Sequence, residues 1–512
     1  MGLNDYESPE KIDPMEMSDC ENFSVEENAV ITAPGYVDYN LGGPSTQTGP
    51  FWGGYSFKKS DGTGHLVRQR KNTLEYDSDG AGTWLPCTMP TSGSPATTVT
   101  LTEIPCTFAS LNDICIWSNG TDTVMSSTDG ETWTLQTSLP KSKVVFNNGK
   151  NRIIYTAQPA APVRIDWSDI NTPLTIDPTS FQLIDPNNAQ IIIGMGLMPD
   201  GTNLVFKRGS VYAISDYVDD GIIDVNFIGN ALCSSHQSIV TTELSVIFHG
   251  YDGIYEVIGG IIRKISGRIT PTGRNYITRL DLICGAYYNG QVHMSTPDAN
   301  IDANYNSQEY IVYMHTGRDD ATQPYVITRN RRYYGCYIRE AYVDDTTDEV
   351  IETLYVGSSQ ADDLFAFTND YRDEQNEQGL AGAEQTCYFV TKFFTENVPY
   401  YRKLFKKLFV YCKTDQDLDI TLSYRFQPYG AWNDYEVSFT SSDLDWTFDD
   451  ASTGGFSQGF GFFMETLNSK FIDIENGEAD RGIQFKVSLS TVNDVKIFSL
   501  AYEAVTKTGN FH

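Results

Sequence analysis

Residues 199–215 read PDGTNLVFKRGSVYAIS and residues 245–266 read SVIFHGYDGIYEVIGGIIRKIS. In each, short apolar or alternating runs flank a glycine turn, Arg208-Gly209 in the first and Asp252-Gly253 in the second. A tight hairpin needs residues that reach positive φ without strain, so the pattern predicts antiparallel strand pairs. The same text recurs at 143–156 (KVVFNNGKNRIIYT) and 285–296 (GAYYNGQVHMST).

Hairpins of this kind are spaced along the chain. Asp79-Gly80 leads to Trp84 and Asp129-Gly130 leads to Trp133, the two tryptophans 49 residues apart. Turns at Asn148-Gly149, Asp200-Gly201, Asp252-Gly253 and Asn289-Gly290 follow at intervals of 52, 52 and 37 residues, roughly the 40 to 50 residues of one four-stranded propeller blade. The expected fold class is therefore all-β: a β-propeller of about six or seven blades over residues 46–385, followed by a C-terminal antiparallel β-sandwich over 386–512.

The second boundary rests on DYRDEQNEQGLAGAEQ (370–385), a polar linker, after which strand-like runs resume at TCYFVTKFF (386–394). Further strands are expected at 406–413, 419–426, 435–440, 470–474, 483–490 and 496–505, with the wide spacing of a sandwich. YYRKLFKKLFVY (400–411) has Leu404, Phe405, Leu408 and Phe409 on one helical face, but the β-rich text around it favours a strand. Residues 1–45, acidic and without apolar period, are expected to be an N-terminal arm that orders on a partner.

Composition narrows the function. Of 512 residues, 36 are Lys or Arg and 67 Asp or Glu, a formal charge of -31, which argues against a general polyanion-gripping surface. Tyr (31), Phe (27), Gly (42) and Pro (21) favour strands and turns over long helices. The nine cysteines are scattered without a C-x-x-C pair, and are expected as reduced, buried small hydrophobes. MGLNDYESPEK has neither the basic nor the apolar region of a secretory signal, and no run of about 18 apolar residues occurs, so a cytosolic origin and no membrane-spanning segment are expected.

Chemistry-bearing motifs are sparse. Ser127-Thr128-Asp129-Gly130-Glu131-Thr132-Trp133 is like the S-x-D-x-G-x-T-W hairpin of sialidase-type propellers but one residue short, and such boxes hold turns. Glycoside hydrolysis needs two facing carboxylates. Adjacent pairs such as Asp219 with Asp220, Asp362 with Asp363 and Asp449 with Asp450 carry no weight in so acidic a chain. Arg329, Arg331 and Arg332 beside Tyr333 and Tyr334 read as a strand edge or a contact between subunits more readily than as an anion site. His65, His236, His249, His293, His315 and His512 lie far apart with no zinc spacing. Gly194-Met195-Gly196 has Pro199 where a dinucleotide loop needs its third glycine. Asp415, Asp417 and Asp419 space like calcium ligands, yet Ile420 replaces the required glycine. Asn22 and Asn119 begin formal glycosylation sequons. No catalytic, cofactor-binding or metal-ligating residue is assigned, no cofactor is expected, and the protein is not expected to be an enzyme.

One resemblance gives these parts a setting. GTNLVFKRGSVYAIS (201–215), ALCSSHQSIVTTELSVIFHGYDGIYEVIGG (231–260) and IIRKISGRI (261–269) resemble the propeller of tail nozzle or hub proteins of short-tailed bacteriophages, the packaged-DNA stabilisation and tail tubular protein B group. TLYVGSSQADDLFAFTNDYRDE (353–374) is similar to that family's last blade, and FKVSLSTVNDVKIFSLAYEAVTK (485–507) to its final sandwich strands. The resemblance implies a virion tail protein made in the host cytoplasm: a homohexameric, sixfold ring beneath the portal and its adaptor protein. Such a ring bears tail fibres or spikes, retains the packaged genome and conducts double-stranded DNA during ejection without sequence-specific binding. An acidic surface would suit such a channel, although solubility is its plainer use. The alternatives are a glycan-binding or glycan-hydrolysing propeller, and a tail-fibre base or adhesin.

Overall fold

The computed structural model describes residues 17–26, 29–32, 36–39, 49–77, 80, 82–93, 97–217, 223–267, 279–298, 302–314, 326–330, 334–343, 350–358, 364–367, 385–394, 403–414, 417–439, 468–474, 478–479, 482–491 and 495–506. Among the described residues the fold is nearly all-β and propeller-like, with 63% strand and 3% helix. The chain divides into two compact units, one of residues 36–327 and 331–368, the other of 1–35, 328–330 and 369–512.

In the first unit, antiparallel four-stranded sheets follow one another in chain order. The first comprises Phe51–Lys58, Gly64–Arg70, Thr73–Asp77 and Trp84–Pro86, and the second Thr107–Leu111, Ile114–Ser118, Met125–Ser127 and Thr134–Leu135. The third, fourth and fifth sheets begin at Val144–Asn147, Ile192–Leu197 and Val240–Thr241, and the sixth at Cys284–Tyr288. The seventh takes Tyr334–Val343, Val350–Ser358 and Leu364–Phe367 from one end of the unit and Tyr36–Asp38 from the other. Each sheet's leading strand neighbours the next sheet's, and Tyr334–Val343 returns to Phe51–Lys58, which closes the series into a ring.

Gly130 and Gly201 stand at φ 83° and 84°, as their turns require, whereas Gly209 turns its hairpin without a positive φ. Between turns, the apolar faces pack sheet against sheet. Phe57, Val67 and Leu74 of the first sheet meet Cys115, Trp117 and Met125 of the second, with Trp133 behind them. Phe51, Leu66 and Trp84 meet Cys336, Ile338, Tyr355 and Leu364 where the ring closes. A large side chain so buried stabilises by about 1.5–3 kcal/mol. Within that last core the Arg68 guanidinium lies 3.7 Å from the Trp84 ring centre and 4.7 Å from that of Phe51, and its Nε donates to Glu75 Oε2 at 2.9 Å. The charge is held by a carboxylate and two ring faces in place of water.

The second unit carries two more antiparallel sheets. One orders Met17–Glu21, Gln385–Phe394, Ile483–Thr491, Leu418–Arg425 and Asn433–Phe439; the other, six-stranded, orders Phe23–Glu26, Ala29–Thr32, Val495–Thr506, Lys403–Thr414 and Asn468–Asp473, with Glu478–Ala479 also pairing with Lys403–Thr414. The segment 400–411 is thus a strand where it is described, from Lys403.

The N-terminal expectation differs from the structure. Four strands lie within residues 1–45, three in the second unit's sheets and one at the edge of the seventh sheet. Met17, Cys20, Phe23 and Val30 are buried there. These strands are too short, and their partners too distant in sequence, for a local apolar period to reveal them. By contacts the units divide near 35 and 368, and residues 328–330 join the second unit.

Candidate functional site

The leading strands of the first, second, sixth and seventh sheets border a half-open chamber of about 180 Å³. Gly53 and Gly54, Cys106 to Phe108, Cys284 and Gly285, and Cys336 and Tyr337 line it, together with His236, Gln237 and Ile239 from the segment between the fourth and fifth sheets.

That segment is built to sit there. Ser235 caps a short 3-10 turn, His236–Ser238, accepting from Ser238 N at 3.1 Å, while its hydroxyl donates to Ile283 O. Gln237 Nε2 donates to Trp52 O and to Cys106 O, both at 3.0 Å, tying the turn to the first sheet and to the approach of the second. His236 Nδ1 accepts from Met195 N at 3.4 Å, which leaves the ring proton on Nε2. Burial, with Lys143 adding to it, lowers the His236 pKa to about 4, so the ring is neutral at pH 7.

Glycine makes the room. A Cβ at Gly194 would stand 2.7 Å from His236 Nδ1, and one at Gly53 would stand 2.7 Å from Cys106 Sγ. Gly194-Met195-Gly196, the faint echo of a phosphate loop, is strand backbone packed against His236 and Ile239.

The residues lining the chamber include no Asp, Glu, Lys or Arg. One carboxylate lies behind them: Tyr337 Oη donates to Glu309 Oε1 at 2.9 Å and bonds Ser295 Oγ at 2.6 Å, and Glu309 Oε1 is 3.0 Å from His293 Nδ1. His293, Ser295 and Glu309 are fully buried, and the network pins the sixth sheet to the seventh.

The other sequence candidates are dispersed. Asp129 Oδ1 accepts from Ser127 Oγ (2.8 Å), Glu131 N (2.9 Å) and Thr132 N (2.8 Å), and Trp133 Nε1 donates to Gly130 O (3.2 Å). The box therefore closes a turn. Burial pushes the Asp129 carboxyl up, but these hydrogen bonds outweigh it and hold the group below its ordinary value. Arg329 pairs with Asp19, whose other oxygen accepts from Tyr388 Oη at 3.2 Å; Arg331, Arg332 and Tyr333 lie outside the described residues, as do Asp219, Asp220, Asp362, Asp363, Asp449 and Asp450.

His65 lies 2.7 Å from Asp77 O, and His249 lies 3.1 Å from Ser234 Oγ, while His315 and His512 are outside the described residues. Asp415 is outside them too, and among the described residues no group of three His, Cys, Asp or Glu could hold a metal ion. Asn22 and Asn119 are buried, with side chains bonded to Thr386 O and to the turn at Thr121 and Asp122. All nine cysteines are buried thiols rather than disulfides. Among the described residues no helix is long and apolar enough to cross a membrane.

The 235–239 segment is what motif reading missed as a site. Its signal was the run Ser234-Ser235-His236-Gln237-Ser238, polar text placed between two apolar strands.

The arrangement defines a propeller-like all-β protein with an uncharged polar chamber bordered by four of its leading strands. No family profile matches the sequence, and no curated protein matches it. Among solved structures, the extracellular domain of a one-component system from B. thetaiotaomicron is similar at 8% identity and a TM-score of 0.40, over 83% of this chain and 57% of that one. YCF48 from Cyanidioschyzon merolae is similar at 12% identity and a TM-score of 0.36, over 62% of this chain and 95% of that one. Likenesses at these scores assign neither family nor function.

Proposed function

We propose that this chain is a non-enzymatic structural subunit of a short-tailed phage tail, a nozzle or hub protein. In this reading the ring of sheets is a seven-bladed propeller and the second unit a β-sandwich. Six copies form a ring below the portal and adaptor, carry fibres or spikes on the outside, and pass double-stranded DNA through an acidic channel between subunits. The observation that carries the reading is the chamber: the place where a propeller enzyme would gather its acid, base or arginine groups is lined by uncharged side chains and occupied by the Ser235–Ile239 segment. The sequence resemblance over 201–269 supports it, as does the net charge of -31, which disfavours tight adhesion to DNA.

Native mass measurement of the purified chain, together with mass spectrometry of purified virus particles, tests this. A six-copy ring and a place in the particle are expected. A chain that stays monomeric and is absent from particles overturns it. Hydrolysis of a glycan panel would replace it with the enzyme reading.

A further inference from the structure

We propose that residues 17–39 form an exchangeable strap, and that in assembled copies the sheet edges they cover are filled by the same residues of a second copy of this chain. Three observations carry this. First, the strap can leave every sheet from its margin. Met17–Glu21 is the outermost strand of the five-stranded sheet, the pair Phe23–Glu26 and Ala29–Thr32 is the outer pair of the six-stranded sheet, and Tyr36–Asp38 is the outermost strand of the seventh sheet. Removing them leaves Gln385–Phe394, Val495–Thr506 and Leu364–Phe367 as intact but open edges, which accept an added strand through main-chain hydrogen bonds.

Second, those edges recognise this sequence. Asp19 pairs with Arg329 and accepts from Tyr388 Oη, Asn22 Nδ2 donates to Thr386 O at 2.9 Å, and the Phe23 ring meets Phe389 edge-on at 5.5 Å. Tyr39 Oη donates to Asp77 Oδ2 at 2.8 Å. Third, the connector is long enough. Residues 40–50 separate the strap from the first sheet, and eleven residues extend to about 36 Å. The contacts made within a chain and between chains are the same, so the two arrangements differ mainly in effective concentration. Neighbouring copies held side by side in an assembly offer a local concentration of the same order as a short tether does, about millimolar.

Registered cysteine pairs test the exchange in the full-length chain. Glu21 lies opposite Tyr388, and Ile31 opposite Lys496. The doubly substituted chains E21C/Y388C and I31C/K496C report the register by cross-linking within a chain or between copies. The decisive sample co-expresses E21C with Y388C, and separately I31C with K496C, under mild oxidation. The native cysteines are buried, so they contribute little background. Covalent dimers from either mixed pair are expected. Monomers alone from both mixtures, with the doubly substituted chains cross-linked internally, overturn the exchange. A six-copy ring without such dimers removes the strap and leaves the nozzle reading standing; dimers without a ring do the reverse.

Discussion

Gly194 and His236 share one space: a Cβ on the glycine would lie 2.7 Å from the imidazole Nδ1 and 2.9 Å from the histidine's own Cα. The fourth sheet's leading strand and the turn that enters the chamber are therefore fitted at backbone contact, and any side chain at 194 must push the turn away.

Gly194→Ala is accordingly expected to destabilise the protein by about 1–3 kcal/mol, the usual cost of overpacking. Gly430→Ala is the control, since its added Cβ meets nothing closer than 3.4 Å and the change should stay within about 0.5 kcal/mol. Urea midpoints of the two variants check this.

Tyr39→Phe removes the hydrogen bond to Asp77 that joins the N-terminal strap to the first sheet. Asp77 keeps Gly80 N at 3.1 Å, so the loss is expected to be about 1–2 kcal/mol rather than unfolding. Burial, then Asp77, raises the Tyr39 pKa far above its ordinary value, so absorbance titration should find this phenol silent until the protein unfolds in alkali.

Asp129→Ala should lower stability by about 1–3 kcal/mol through lost turn hydrogen bonds, and should remove no catalytic activity. Because the folded pKa is depressed, the stability that Asp129 adds is present at neutral pH and lost as pH falls through the carboxylate range, below about 4. Comparing the pH dependence of the wild type and Asp129→Asn isolates that part.

His236 and His249 are both lowered to about 4, chiefly by burial. Unfolding restores ordinary values near 6.5, so between about pH 6.5 and 4 the unfolded chain binds more protons and stability falls as pH falls. The slope is at most about 1.4 kcal/mol per pH unit for each histidine. Denaturant midpoints at pH 7 and about pH 5 should differ, and His249→Gln should flatten the difference.

The nine cysteines should resist an aromatic disulfide reagent in the native protein and all react after denaturation. Burial pushes the Cys336 and Cys412 thiols up to about 12, which leaves almost no thiolate at neutral pH. Fast reaction of any native cysteine would show that its site opens.

Much of the fold was legible because it is local. A hairpin such as 245–266 contains its own turn glycine, both alternating runs and the apolar face that must be buried, so chain order alone implies the strand pairing. The tryptophans at 84 and 133 marked the repeat, and both are core residues, Trp84 where the ring closes and Trp133 beside its own turn.

The ring closure, the strap and the chamber depend on residues hundreds of positions apart. Nothing around Met17 or Tyr36 shows that their partners are Thr391 and Phe367, because an edge strand of a few residues has no periodicity to display. Likewise Gly53 and Gly285 read as ordinary strand glycines until the ring brings them to one chamber, and Gly194 until it packs against His236. By itself the sequence determined which segments are strands and where they turn, since turn chemistry and alternation act within a few residues. Only the tertiary structure decided which edges meet and what space they leave, because those outcomes follow from packing between distant faces.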